Sequence, residues 1–327
     1  MASTAKVPLA CSPSLLDNNL SALNYDLAYC HHNQACVVNT QGSAVQVTSG
    51  SQGQGQKPLQ QACLISFKDQ VAVVLATTRG LQVWDISMDQ LLFQWDVPTE
   101  AQAQATTSAL FCRGIALAES EDNTCLLCVG SNTGKIHTFT AGSAAQIDHD
   151  YDLCHHTWPI AALASGHTSS TTTNNTGSHL ASCDDNGAIT VFQAKSAGNF
   201  EAKHEWEGHG VPCIAVAIKN STLIAAFCDG SVRLYSLDAG VLKTELQAHS
   251  RMLSAMAVHP TRPLFATAAE DATMAVWQMP DDDQEVDCKW SACWNDALLT
   301  GIAFTGRAND VAAAAYDTDE IRIWTVI

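Results

Sequence analysis

The sequence predicts an all-β fold, one ring of seven four-stranded blades, and three observations predict it. Helical periodicity is nearly absent, with no amphipathic stretch of a dozen residues that beats its strand reading. A short apolar strand, a turn rich in Gly, Asp or Asn, and an alternating strand ending in an aromatic recur along the chain. The closing aromatics Trp84, Phe139, Phe192, Tyr235, Trp277 and Trp324 stand 55, 53, 43, 42 and 47 residues apart. That spacing is close to the roughly 40–45 residues of a propeller blade.

The first unit, expected over 15–50, is the faintest: "NYDLAYCHHNQACVVNTQGSAVQV" offers short strands but no closing aromatic. "VAVVLATTRGLQVWDI" (71–86) centres the second, over 58–97, and "CLLCVGSNTGKIHTF" (125–139) the third, over 106–150. "HLASCDDNGAITVF" (179–192) centres the fourth, over 157–207, and "LIAAFCDGSVRLY" (223–235) the fifth, over 210–248. "LFATAAEDATMAVW" (264–277) and "VAAAAYDTDEIRIW" (311–324) centre the last two, over 251–294 and 297–327. The polar runs "TEAQAQATT", "GHTSSTTTNNTGS", "SGSQGQGQKP" and "PDDDQE" read as rim loops rather than as separate domains. The last unit has three strands before Ile327, so its fourth must come from elsewhere if no edge is left open. "AKVPLAC" (5–11) is expected to supply it and to close the ring by pairing the two ends of the chain. A single domain, 1–327, follows.

The 16 Lys and Arg face 33 Asp and Glu, a net charge of −17. Binding that neutralises phosphates needs the opposite balance, so nucleic acid and anionic lipid are not expected partners, whereas a basic protein face suits the charge. The start, "MASTAKVPLACSPSLLDNN", has one Lys and no long apolar run, so a signal, an anchor and membrane insertion are not expected, and the expected location is the cytoplasm. Most of the 13 Cys sit in apolar strand-like runs, where a thiol acts as a small hydrophobe in a reducing compartment. "GSQGQGQ" lacks the Lys-Ser/Thr ending of a phosphate loop and opens no helix, so no cofactor is expected.

One polar set poses a choice. Asp271 lies six residues before Trp277, Thr267 four before Asp271, and His249 twenty-two before Asp271. A catalytic hydroxyl needs a cleft and oxyanion donors, but Thr267 stands mid-strand in "LFATAA", among packed neighbours. Left buried and unpaired, each group would cost about 1–3 kcal/mol, so a chain from Asp271 through His249 and Thr267 to the Trp277 indole is expected to satisfy them together. No catalytic residue is expected. Metal ligands are not expected either: Cys125 and Cys128 lie three apart in a strand and face opposite ways, and Cys30, His31, His32 and Cys36 read as ordinary hairpin packing.

These units resemble the WD-repeat family, whose blades carry Gly-His before the first strand, Ser or Thr in the second, Asp in the turn and Trp-Asp closing the third. "WDI" (84–86), "EGHGVPC" with Gly208 and His209, "LQAHSRM" with His249 and "CHHTWPI" with His156 carry the resemblance. It implies that His249, Thr267, Asp271 and Trp277 form the family's structural tetrad. His209 and Asp229 match two of its positions in the fifth unit, where Ala225 and Tyr235 occupy the others. In the fourth unit Asp184 and Asp185 are alternatives for the turn carboxylate, and Thr78, Thr133 and Thr318 replace it in the second, third and seventh. The resemblance further implies a non-enzymatic protein–protein interaction scaffold within a multi-subunit assembly, with a ciliary or axonemal placement as a narrower expectation. A peptide-reading propeller that binds basic tails or a signalling partner is the alternative. Partners of a propeller would meet the loops leading into the inner strands, which makes Trp158, Val211, Arg251, Met252 and Trp294 the candidate partner-binding residues.

Overall fold

The computed structural model describes residues 4–41, 45–49, 58–98, 110–167, 178–195, 199–280, 285–307 and 309–326. Among them are seven four-stranded antiparallel sheets and no helix. Among the described residues, therefore, no helix is long and apolar enough to cross a membrane. The chain opens with β1 (Thr4–Pro8). Blade 1 is β2 (Ser21–Leu23), β3 (Asp26–His31), β4 (Gln34–Asn39) and β5 (Val45–Ser49), and blade 2 is β6 (Leu59–Ser66), β7 (Val71–Thr77), β8 (Gly80–Asp85) and β9 (Leu91–Asp96). Blade 3 is β10 (Cys112–Glu119), β11 (Cys125–Ser131), β12 (Ile136–Ala141) and β13 (Ile147–Leu153). Blade 4 follows with β14 (Ile160–Gly166), β15 (His179–Asp184), β16 (Ile189–Ala194) and β17 (Phe200–Trp206). Blade 5 is β18 (Cys213–Lys219), β19 (Thr222–Phe227), β20 (Ser231–Ser236) and β21 (Val241–Gln247), and blade 6 is β22 (Leu253–Val258), β23 (Leu264–Ala269), β24 (Thr273–Gln278) and β25 (Asp287–Cys293). Blade 7 combines β26 (Leu299–Phe304), β27 (Asp310–Ala315) and β28 (Glu320–Thr325) with β1.

Sequence pattern sets each strand's depth. Second strands such as β11 "CLLCVGS", β23 "LFATAA" and β27 "DVAAAA" are buried throughout because a neighbouring blade covers each face, so they read as continuous small or apolar runs. Outer strands such as β21 "VLKTELQ" and β25 "DCKWSAC" begin with three exposed residues and then alternate between half-buried and exposed ones. The strand β13, "IDHDYDL", carries three Asp and reads poorly as a strand, yet it pairs with β12 and runs to Leu153, past the limit of 150 expected for that blade. The expected rim insertions fall wholly or mostly outside the described residues.

The core is divided among the blade junctions. Val74 and Val83 of blade 2 pack on Leu127 and Phe139 of blade 3, Val191 of blade 4 on Phe227 of blade 5, and Val276 of blade 6 on Trp324 of blade 7. Each blade buries itself only through its neighbours, so the ring must close for the first and last to be covered. Closure has two parts. Leu27 and Tyr29 of blade 1 pack on Ala312 and Ile321 of blade 7, and β1 pairs antiparallel with β28, with Ala5 opposite Ile323 and Pro8 opposite Glu320. Pro8 ends an edge strand, where its missing N–H costs no ladder bond. An ion pair of 2.9 Å from Lys6 to Glu320 lies along the same seam.

Six inner strands carry an irregularity near their start, directly after the first residue at Leu59, Ile160, Cys213, Leu253 and Leu299 and after the second, Arg113, in blade 3. A bulge leaves one residue out of the ladder with its backbone groups unpaired. Of these, Gln60, Ala161, Ile214, Ser254 and Thr300 line the central funnel.

Candidate functional site: polar locks and the funnel face

Blade 6 brings His249, Thr267, Asp271 and Trp277 together. His249 lies between β21 and β22, Thr267 in the middle of β23, Asp271 in the β23–β24 turn and Trp277 on β24. His249 Nδ1 is 3.2 Å from Asp271 Oδ1, its Nε2 is 2.8 Å from Thr267 Oγ1, and Trp277 Nε1 donates to the same oxygen at 2.9 Å. The carboxylate only accepts, so the network assigns Nδ1–H to the Asp271 bond and leaves Nε2 to accept from Thr267. Burial pushes the imidazole below its ordinary pKa, further than the neighbouring carboxylate raises it. Burial also pushes the Asp271 carboxyl up, but bonds from Thr273, the His249 ring and the Ser250 N–H outweigh it and hold that carboxyl below its usual value. Thr267 is 0% exposed, so its hydroxyl meets no substrate. The arrangement is a lock: every polar group inside it is satisfied by another.

The lock also ties two blades together. The backbone N–H of His249 donates to Gly230 O of blade 5 at 3.2 Å. Gly230 has a φ of +89°, and a Cβ there would stand 2.4 Å from His249 O. Only glycine meets both conditions.

A second lock sits in blade 4. His156 Nδ1 donates to Asp184 Oδ2 at 2.9 Å, and its Nε2 lies 2.7 Å from Ser182 Oγ. The alternatives for the turn carboxylate are thereby separated: Asp184 is buried against the imidazole, while Asp185 pairs with Arg113 at 2.6 Å. Burial raises the Asp184 carboxyl, but the His156 ring and the Ala188 and Asn186 N–H groups bring it below the usual range. No indole completes this set, because Phe192 closes the strand; the one Ser182 hydrogen goes to His156 Nε2 at 2.7 Å, the shorter of its two contacts, with Thr190 O further off at 3.3 Å.

Blade 5 corrects an expectation. His209 is exposed, and no hydrogen bond joins it to Asp229 among the described residues. Asp229 accepts from Ser231 N and Oγ within its own turn, at 3.0 and 2.6 Å. Register gives the reason. The residue two beyond each closing aromatic's cross-strand partner is Leu75, Val129, Ser182, Ala225, Thr267 and Ala313 in blades 2 to 7. Hydroxyls occur there only in blades 4 and 6. In blade 5 an inward imidazole would find Ala225 and leave a ring nitrogen unpaired. In blade 2 the Trp84 indole donates instead to Gln82 Oε1 at 3.2 Å.

The locks stand beside a funnel of about 420 Å³ at the end of the ring where the inner strands begin. Residues 15–18, between β1 and β2, help to line it. Asn18 Nδ2 donates to Ile214 O at 2.8 Å, Asn18 N to Ser254 O at 2.9 Å and Asn19 N to Thr300 O at 2.8 Å. Two neighbouring asparagines thus satisfy bulge carbonyls of blades 5, 6 and 7. Asp17, Asp185 and Glu270 face the cavity with one cation, Arg113. Water reaches Asp17, but protein walls it on most sides. That loss of hydration pushes its carboxyl up to about 6, against Arg113 and together with Glu270 and Asp185.

The candidate partner-binding residues divide. Trp158 is 52% exposed on the loop entering β14, and Arg251 is exposed just before β22. Met252 is half-buried and lines the funnel. Val211 is half-buried and packs on the core between blades 4 and 5. Trp294 is a correction: it is 4% exposed, lies 6.0 Å from the Trp324 ring, and has the Arg322 guanidinium 4.2 Å from its own ring. It stiffens the core between blades 6 and 7. Leu15, 59% exposed beside Asp17, was not legible as a surface residue. The cysteine pairs do not converge: Cys30 faces the junction with blade 2 and Cys36 the junction with blade 7, while Cys125 and Cys128 face blades 2 and 4.

The model of the family WDR54 matches residues 4–327. The chain belongs to the WDR54 family. WD repeat-containing protein 54 of Mus musculus is 27% identical over 335 residues, covering 96% of each chain, and that of Homo sapiens is 26% identical over 336 residues, covering 97% of this chain and 96% of its own. A chain in the crystal structure of a mitotic checkpoint complex superposes with a TM-score of 0.76 over 100% of this chain and 93% of its own, at 15% identity, which speaks to the fold alone. The family is one of WD-repeat propellers, and that architecture is a protein-interaction scaffold.

Proposed function

We propose that this WDR54-family chain is a non-enzymatic scaffold that holds a protein partner on its funnel face as one subunit of a larger assembly. The observation that supports it is Trp158, a large indole more than half exposed on the short loop that joins the blade 4 lock to β14, with Arg251 and Leu15 also exposed on this face. Exposed aromatic and Arg side chains on a fixed frame are the usual anchors of interfaces. The test is affinity purification from cells with wild-type, Trp158→Ala and Arg251→Ala chains, each checked for folding by circular dichroism. Folded variants should lose partners that the wild type retains, and an unchanged partner set overturns the reading.

The acidic funnel favours a second reading, a site for a basic side chain of the partner. A bound cation would favour ionised Asp17, so affinity for a Lys-rich peptide should rise as pH is raised through about 6 and should fall with added salt. Binding insensitive to both sinks it. The proposed location is the cytoplasm, supported by thirteen free thiols, with a ciliary or axonemal assembly as the narrower placement. Imaging of a tagged chain against a ciliary marker tests it.

A further inference from the structure

On the rim between blades 2 and 3, two imidazoles converge on one carboxylate oxygen. His137 on β12 stands opposite Asp152 on β13, and His149 precedes Asp152 by three residues, beyond an irregularity in the pairing. His137 Nδ1 is 2.7 Å and His149 Nε2 3.3 Å from the same Asp152 Oδ1. One donor atom from each of the three residues can be chosen so that all lie within 4.8 Å of one another. Trp95, reaching over from β9, stacks on His149 at 5.3 Å and 11° and tilts against His137 at 4.7 Å, so both rings are held in place by an indole.

We propose that His137, His149 and Asp152 bind a divalent cation of the zinc class. Two imidazoles and a carboxylate are a donor set suited to Zn²⁺, with a fourth position for water. Calcium and magnesium prefer more oxygens than this site offers. Ligand atoms about 2.0–2.1 Å from a tetrahedral ion stand roughly 3.3–3.4 Å apart. The His149–Asp152 distance already matches, and the His137–Asp152 distance needs to open by about half an ångström. His149 and Asp152 are partly exposed, which gives the ion an entry and a solvent position.

Two features limit affinity. Binding moves the hydrogen of each ring to its far nitrogen, and for His137 that atom, Nε2, is buried without a partner among the described residues. Lys135 Nζ is 3.3 Å from Asp152 Oδ2, so a cation already competes for this carboxylate and must turn outward as the ion enters. These features turn the proposal into a signed test, because a purely structural His–Asp contact has no use for the removal of Lys135.

The experiment uses the full chain after chelator treatment, titrated calorimetrically with Zn²⁺ and optically with Co²⁺. Thirteen free thiols include exposed Cys154, so the spectrum must separate ligand types. One ion per chain should bind, and the Co²⁺ form should show d–d bands without a thiolate charge-transfer band. His149→Gln, a partly exposed position expected to fold, should weaken binding by roughly tenfold or more, and Lys135→Met should tighten it. Circular dichroism confirms that both variants are folded. Binding that survives His149→Gln, a thiolate charge-transfer band, unchanged affinity in Lys135→Met, or no binding at all would each overturn the proposal.

Discussion

Blades 5 and 6 share topology, an inner-strand bulge and a turn built on the same carboxylate chemistry. Asp229 accepts from Ser231 N and Oγ at 3.0 and 2.6 Å, and Asp271 from Thr273 N and Oγ1 at the same two distances. Yet His249 is buried and His209 is exposed. The difference lies at one position of the second strand, Thr267 in blade 6 and Ala225 in blade 5. Blade 4 separates the hydroxyl from the indole: Ser182 holds His156 although Phe192 replaces the closing Trp. An imidazole is taken in where a buried hydroxyl waits for its far nitrogen, and the carboxylate serves its turn either way.

The largest break in this comparison should come from Thr267→Val, which keeps shape but leaves His249 Nε2 and the Trp277 N–H without partners. The expected loss is roughly 2–4 kcal/mol by equilibrium denaturation. Acid should act next. The native His249 pKa is depressed, so as pH falls through the unfolded value, near 6.5, the unfolded chain binds the proton first and stability declines. The slope from one such group is at most about 1.4 kcal/mol per pH unit. The contributions of Asp271 and Asp184 are present above about 3.8 and are lost only as pH drops through their lower native values. Thermal melts between pH 5 and 8 should therefore flatten in His249→Gln and stay unchanged in His209→Gln.

A smaller effect is expected from Ala225→Ser, which places a hydroxyl where blade 5 lacks one. It should cost about 1 kcal/mol or less and create a coupling to His209 that the native chain does not have. Smallest is His209→Ala, expected to stay within about 0.5 kcal/mol of wild type. A loss like that of Thr267→Val would mean that His209 is buried after all.

Much of the ring is legible in the residues, since closing aromatics and apolar second strands repeat at blade spacing and a blade short of one strand needs β1. The blade 6 lock is legible for the same reason: its four residue types stand at fixed separations. Motif spacing fails where a partner is supplied by register. The match of Gly208-His209 says nothing about Ala225 opposite, and Ser182 hides behind the Phe192 that breaks the pattern. Trp294 misleads because a loop position suggests a surface role, whereas its indole is apolar enough to close the junction with blade 7. Asn18 and Asn19 lie in a segment without periodicity, and His137, His149 and Asp152 meet only once two strands are paired.

The most direct measurement is a double-mutant cycle between His249→Ala and Thr267→Val, read by chemical denaturation at neutral pH. If the hydroxyl and the imidazole hold each other, the two losses should fall short of additivity by about 1–3 kcal/mol. Losses that add to within about 0.5 kcal/mol would show that each side chain is buried for its own reasons, and the lock would not exist.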